Sequence, residues 1–283
     1  MTGWNAWAGR SLRSGDRIDA GLTRRWLATF DREPPAGDLV PQGLHWCLCL
    51  PDAPTASLGP DGHPRRDDTP DGFLPPVPLP RRMWAASSVE FLAPLAIGMA
   101  VERISTIAAI REKAGGSGPL VFVDIVHETR CNEIPMLRET QSVVYRDAAP
   151  AGSAPVPPLP GEGLFDADAW DRHRSVMPSE PLLMRYSALT FNSHRIHYDL
   201  PYAVQEEGYR GLVVHGPLTA SLLLDLARRA LGDNALKTFA FRGTSPAICG
   251  EVLHLAMRGQ GKAIEMGAFA VDGRQVMAAS ASA

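Results

Sequence analysis

Apolar positions recur along this chain in two rhythms. In GPLTASLLLDLARRALG, from Gly216 to Gly232, Leu218, Leu222, Leu226 and Ala230 stand four apart on one helical face. Leu223, Leu224 and Leu231 widen that face, which predicts a helix buried and wrapped by a sheet. Its ends are marked as well. Pro217 suits the first helical position, where its missing N–H would be unpaired anyway. Arg228 and Arg229 suit the negative end of the helix dipole, and Gly232 can stop the helix in a left-handed conformation. A second, shorter helix is predicted over AGLTRRWLATF, residues 20–30.

The other rhythm is that of strands. LVFVDIVHE (120–128) and ETQSVVYR (139–146) are rich in β-branched and aromatic residues. EVLHLAMR (251–258), AIEMGAFAV (263–271) and QVMAASA (275–281) follow one another across the short turns GQGK and DGR, which predicts an antiparallel meander. Two segments break the pattern. Residues 52–80 are rich in Pro, Gly and Asp and cannot hold a helix or a central strand; a loop of that length is usually functional or disordered. Residues 147–163, DAAPAGSAPVPPLPGEG, read as a connection between domains 1–150 and 160–283. FLAPLAIGMAV (91–101) and FRGTSPAICGEV (241–252) share a Phe, then P-x-x-x-G, then Val, a weak repeat consistent with duplication.

Composition narrows the class. The chain has 283 residues, 45% apolar and 21% charged, the balance of a soluble globular protein. A net charge of −3 without a basic block gives no reason to expect nucleic acid. No apolar run reaches the roughly 18 residues of a membrane span, and MTGWNAWAGR does not begin like a signal peptide, so the cytoplasm is the expected location. Cys47, Cys49, Cys131 and Cys249 fit neither a paired zinc motif nor a disulfide framework and are read as reduced.

The densest polar chemistry lies in TFNSHRIHYD, residues 190–199. His194 and His197 stand three apart, with His215 further on, yet no carboxylate or cysteine partner has metal-site spacing, and no metal is expected. No GxSxG elbow or activated cysteine is present, and Ser187 and Ser193 read as hydrogen-bonding residues. Proton transfer fits better. An imidazole titrates near neutral pH, whereas an amide cannot carry a proton, so His197 would move the proton and Asn192 would orient a water or hydroxyl. In GLVVHGPLTASL (211–222), the free N–H groups at a helix start could polarise a carbonyl oxygen at Gly216. On spacing alone the plainer reading is preferred: Gly216 caps the helix and His215 is a hydrogen-bonded core residue.

Together, YSALTFNSHRIHYD and GLVVHGPLTASLL resemble the MaoC-like hydratases and dehydratases, whose signature reads D-x-N-P-[LIV]-H. Aligned on the histidine, Asn192 stands for the Asp, His194 for the Asn and Arg195 for the Pro, while Ile196 and His197 are retained. The form T-F-N-x-H-x-I-H-Y-D is similar to the type 2 hydroxyacyl-thioester dehydratases and their relatives acting on mesaconyl-C4-CoA or itaconyl-CoA. GLHWCLCLPD, GPDGHPRRDDTPDGFLPPVPLPRRMWA and GPLVFVDIVHE extend that likeness into the first half.

The resemblance implies an α+β double hot-dog fold, each half a curved antiparallel sheet wrapped around a central helix, with a degenerate, non-catalytic first half. It implies reversible hydration of a 2-enoyl-CoA without metal or redox cofactor, on a short dicarboxylic acyl-CoA such as mesaconyl-C4-CoA or itaconyl-CoA. Asn192, His197 and His194 would be catalytic, the Gly216 N–H would hold the thioester carbonyl, and Arg195 and His215 would bind substrate, Arg195 meeting an acyl carboxylate or a CoA phosphate. His45 and Trp46 would pack the first half or line the acyl cavity. A homodimer is expected. Dehydration of a fatty acyl or carrier-protein thioester, a hot-dog thioesterase and a non-catalytic acyl-thioester binder remain the alternatives.

Overall fold

Alternation of apolar and polar side chains becomes ten strands in a computed structural model that describes residues 3–35, 37–115, 118–148, 150 and 152–283. The first half supplies β1 (Ser11–Arg17), β2 (Arg81–Phe91), β3 (Ala100–Gly115), β4 (Gly118–Cys131) and β5 (Ile134–Arg146). The second supplies β6 (Arg172–Val176), β7 (Thr238–Gly243), β8 (Leu253–Gln260), β9 (Ala263–Ala270) and β10 (Gln275–Ser282). The expected meander is β8–β9–β10. All ten join one antiparallel sheet in the order β1-β3-β4-β5-β2-β7-β10-β9-β8-β6. Read from either end, equivalent strands come in the same order, and the halves meet where Ser88 of β2 pairs with Ala240 of β7.

The helices follow the same duplication. α1 (Ala20–Thr29) comes after β1 and α2 (Glu180–Leu189) after β6, and the two pack together. Asp19 caps α1 by accepting the Leu22 N–H, as Ser179 caps α2 by accepting that of Leu182. The FLAP and FRGTSP repeats also coincide. Each carries the chain off β2 or β7 through a glycine of positive φ, Gly98 at 89° and Gly250 at 81°.

The halves differ where a central helix is expected in each. α4 (Gly216–Leu231) is that helix in the second half, with ten of its residues buried and Gly232 ending it at a φ of 100°. In the first half, the matching segment forms only a 3-10 turn, Leu44–Cys47. The chain there is boxed between Pro41 and Pro51, and Cys49 turns it away with a φ of 52°. Arg103 donates to the Leu48 and Cys49 carbonyls, taking acceptors that a longer helix would use internally. The turn instead packs on α4. Gly43 takes a φ of 99°, which favours glycine, and a Cβ there would crowd Leu224 Cδ1 at 3.0 Å.

One core therefore spans both halves: Ile18, Trp26, Leu44 and Trp46 share it with Leu183, Leu223, Phe239 and Leu255. Asp225, buried on α4, is held by Arg174 at 3.0 Å, Arg228 at 3.0 Å and Arg229 at 2.7 Å. A buried carboxylate needs such partners to offset its lost hydration. A short helix, α3 (Leu200–Gln205), lies between α2 and α4. No helix among the described residues is long and apolar enough to cross a membrane.

Candidate active site

The segment between α2 and α4 presents its polar groups in a fixed order. Phe191 takes a φ of 47°, ending α2 and starting the turn. The Asn192 N–H donates to Ser187 O at 2.9 Å, and the Asn192 side-chain oxygen accepts the His194 N–H at 3.0 Å. Its amide NH₂ has no partner among the described residues. Arg195–His197 form a single 3-10 turn, which buries Ile196 and His197.

His197 is oriented by one hydrogen bond. Its Nδ1 lies 2.7 Å from Val213 O, so Nδ1 carries the hydrogen and Nε2 is left as a lone pair. Burial, against that bond, pulls His197 down to about 4, so the ring is neutral at neutral pH. It stacks on His215 with centroids 3.5 Å apart. His215 in turn is held by Ser187 Oγ at 2.8 Å from its Nε2, while its buried Nδ1 has no partner. Burial, with His197 and His194 beside it, holds His215 well below the usual value.

His215 is the residue before Gly216, where α4 begins. No side chain caps this end. A Cβ placed on Gly216 would meet nothing within 4 Å, so the space beside the start of α4 is open. Pro217 has no N–H to compete, and the helix dipole favours negative charge here. A neutral imidazole with a free nitrogen, beside an uncovered helix start, can move a proton next to a polarised carbonyl.

The segment read as a linker proves to be part of this neighbourhood. Residues 59–63 form a tight turn, Gly59 N donating to His63 O at 2.7 Å and Gly62 N to Gly59 O at 3.0 Å. The turn lies against the histidine segment. Ser193 Oγ donates to Gly62 O at 2.5 Å, and Arg195 N to Asp61 O at 2.9 Å. His63 packs on His194 with centroids 4.1 Å apart, and His194 meets His197 edge-on at 5.5 Å. Four imidazoles thus stand in file: His63, His194, His197, His215. Burial, then His63 and His197, hold His194 down to about 2.

Asp61 joins this file from the side, with its Oδ2 3.0 Å from His63 Nδ1. Its burial raises its carboxyl, but the bonds from His63 prevail and bring it to about 2. Asp61, His63 and His194 also present one ligating atom each within 4.8 Å of one another. Asp61 and His63 lie about 130 positions before His194, outside the motif in which no metal partner is found.

Arg195 is engaged internally. Its Nε and Nη2 donate to Asp199 Oδ2 at 2.9 and 2.7 Å, its Nη1 to Pro60 O at 2.8 Å, and it stacks on Tyr202. It clips the 59–63 turn to α3 and is not held out toward a ligand. Arg82 on β2 was not singled out in the sequence. It lies close enough to His194 to help lower it, and makes no side-chain hydrogen bond or ion pair among the described residues. His45 and Trp46 lie in the first-half core around buried Glu139, Trp46 Nε1 donating to its Oε1 at 3.2 Å. Burial raises that carboxyl.

The family described as hydroxyacyl-thioester dehydratase type 2 matches residues 43–249, from the 3-10 turn of the first half through α4 and β7 into the loop that follows. The chain belongs to this family. It is 42% identical over 98% of its length to a mesaconyl-C(4)-CoA hydratase of Chloroflexus aurantiacus, of which 96% is covered. Among solved structures, a MaoC-like dehydratase from Phytophthora capsici superposes with a TM-score of 0.73 at 15% identity, covering 100% of this chain and 97% of that one. A Mycobacterium tuberculosis protein described as a double hotdog fold superposes at 0.61, 15% identical, covering 97% and 95%. At such identities these structures speak for the fold, which is the double hot dog. The family match embraces both the 59–63 turn and the histidine segment.

Proposed function

We propose that the chain hydrates a 2-enoyl-CoA reversibly, with mesaconyl-C4-CoA as the first substrate to test. The observation that carries this reading is the free Nε2 of His197, whose ring stacks on His215 just before the open start of α4 at Gly216. A thioester oxygen held at Gly216 would draw electrons from the adjacent Cα. His197 would then exchange the Cα proton, and the Asn192 NH₂ would hold the water. His215 would line the carbonyl side. Full-length identity to a mesaconyl-C(4)-CoA hydratase supports the same reaction and a dicarboxylic acyl group.

A second carboxylate on the substrate needs a cation, and we assign that role to Arg82 rather than Arg195, whose guanidinium is already engaged. Metal ions and redox cofactors have no part in the reaction as proposed. We further propose that the protein works in the cytoplasm. The homodimer expected from exposed sheet edges is kept as a proposal, although the β2–β7 seam already pairs one edge within the chain; light scattering decides it.

The deciding experiment incubates the protein with mesaconyl-C4-CoA, mesaconyl-C1-CoA, itaconyl-CoA and crotonyl-CoA. Mass spectrometry follows gain of water, and a thiol reagent follows free CoA. Water gained without thiol release, fastest on a dicarboxylic substrate, supports the proposal. Thiol release alone makes the protein a thioesterase. No change with any substrate makes it a binder.

A further inference from the structure

Addition of water across a double bond moves two protons, one off the water and one onto Cα, and His197 accounts for the second. The motif itself offers two candidates for the first. Asn192 has an amide, which does not take up a proton at neutral pH. His194 is wedged between two other imidazoles, half-buried, and the nearby carboxylate of Asp61 is hydrogen-bonded to His63 instead. A third group stands on the far face of the His194 ring, delivered by the other half of the chain.

That group is His63. Its Nδ1 lies 3.0 Å from Asp61 Oδ2, and its backbone N–H donates to Asp61 Oδ1 at 3.1 Å, so both carboxylate oxygens bear on one residue. The carboxylate accepts the Nδ1 hydrogen, leaving Nε2 as the basic nitrogen, and stabilises the imidazolium once Nε2 is protonated. Neither residue is free to drift. Gly62, between them, approaches Ser193 so closely that a Cβ would lie 1.9 Å from the Ser193 carbonyl oxygen. Ser193 Oγ, Arg195 N and the Arg195 guanidinium each donate to a carbonyl of residues 60–62. A chance surface loop does not need three donors from the candidate active-site segment.

We propose that Asp61 and His63 form a second catalytic dyad, in which His63 takes the proton of the attacking water and Asp61 orients and stabilises it. The proposal rests on the hydratase reading above. In the hydration direction, one O–H bond of water breaks and its proton goes to His63 Nε2. The oxygen bonds to Cβ, and the π pair shifts to Cα with charge held at the thioester oxygen. Cα then bonds to a proton on His197 Nε2, which the neutral ring takes from His63 before water attacks. The proton His63 takes from the water replaces it, and the net change is one water added. The carboxylate absent at Asn192 is thereby supplied by the other half.

The same atoms could face a cation. The close Asp61–His63 contact is instead at hydrogen-bond length, whereas zinc usually asks for a further ligand beyond such a trio.

The test uses the full chain and whichever acyl-CoA the wild type hydrates best. His63→Gln is expected to lower kcat by about 10²–10⁴-fold with little change in KM, as removal of a general acid–base group does. Asp61→Asn falls by a smaller factor, and the double variant is no worse than His63→Gln, because the two act as a unit. The groups facing His63 are Asp61 from its own turn and His194 and His197 from the histidine segment, with Arg82 on β2 beyond His194; all remain in His63→Gln. Added imidazole restores part of the rate to His63→Ala, an outcome a structural role would not give. Thermal melting of each variant is compared with the wild type, and Asp61→Asn carries the test if His63→Gln does not fold. Folded variants within threefold of wild-type rate, beside an inactive His197→Ala, overturn the dyad and leave the hydratase reading intact. A wild type inactive on every enoyl-CoA overturns that reading instead. One equivalent of tightly bound metal, whose removal abolishes turnover, overturns the dyad in favour of a metal centre.

Discussion

A histidine transfers protons on demand when one nitrogen is fixed and the other is free, and the Val213 carbonyl imposes that state on His197. His197→Ala is therefore expected to lower kcat by about 10²–10⁴-fold with an unchanged fold, read by hydration kinetics beside circular dichroism. Gly216 makes a complementary case. With no atom near its missing side chain and no positive φ, Gly216→Ala should leave the melting temperature unchanged. Its methyl would occupy the space assigned to the thioester oxygen, so kcat/KM should fall by up to about 10²–10³-fold, the loss typical of one oxyanion donor. If kcat/KM is unaffected, the carbonyl binds elsewhere. These residues were legible in the sequence because their signals are local: a histidine in a short motif, a glycine before an apolar helix. Asp61 and His63 were not, since about 130 positions separate them from Ser193 and Arg195. Arg195 was assigned to substrate although Asp199, four residues on, is its natural partner.

Among the elements, periodicity made α4 and the β8–β9–β10 meander readable, because a buried face imposes its repeat on the residues that form it. The 59–63 turn has no such repeat. Its shape is held by hydrogen bonds from the other half, and composition alone showed only Pro, Gly and Asp. The missing helix of the first half was hidden for a related reason: Leu44–Cys47 is apolar enough for a core helix, but Arg103 and the flanking prolines stop it after one turn. The turn can be tested as a unit through Gly62, whose φ is 89°. Gly62→Ala combines backbone strain with collision against the Ser193 carbonyl, and should cost about 1–3 kcal/mol in urea unfolding. It should also lower turnover, because lifting the turn withdraws His63 from His194. Wild-type stability and rate together would show that the contact is dispensable.

For the molecule as a whole, buried imidazoles set the response to acid. Burial lowers His45 to about 3, with help from Arg103 and His127. Burial and Arg103 lower His127 to about 4, and burial lowers His197 to about 4. In the unfolded chain these rings titrate near their usual value of about 6.5. Between pH 6.5 and 4 the unfolded state consequently binds more protons, so stability is full above that window and falls as pH drops through it. The urea midpoint should decline steeply from pH 6.5 to 4 and be flat from 7 to 8; a flat course through the acid window would mean that these rings are solvated.

The mirrored strand order has one further consequence. The interval between α1 and β2 and the interval between α2 and β7 occupy the same position in the two repeats. The first became a cover carrying Asp61 and His63; the second became the histidine segment and α4. A repeated architecture would ordinarily offer two equivalent sites, but here each repeat holds only part of one. Calorimetric titration with an unreactive acyl-CoA analogue should accordingly saturate at a single equivalent per chain, however many chains assemble.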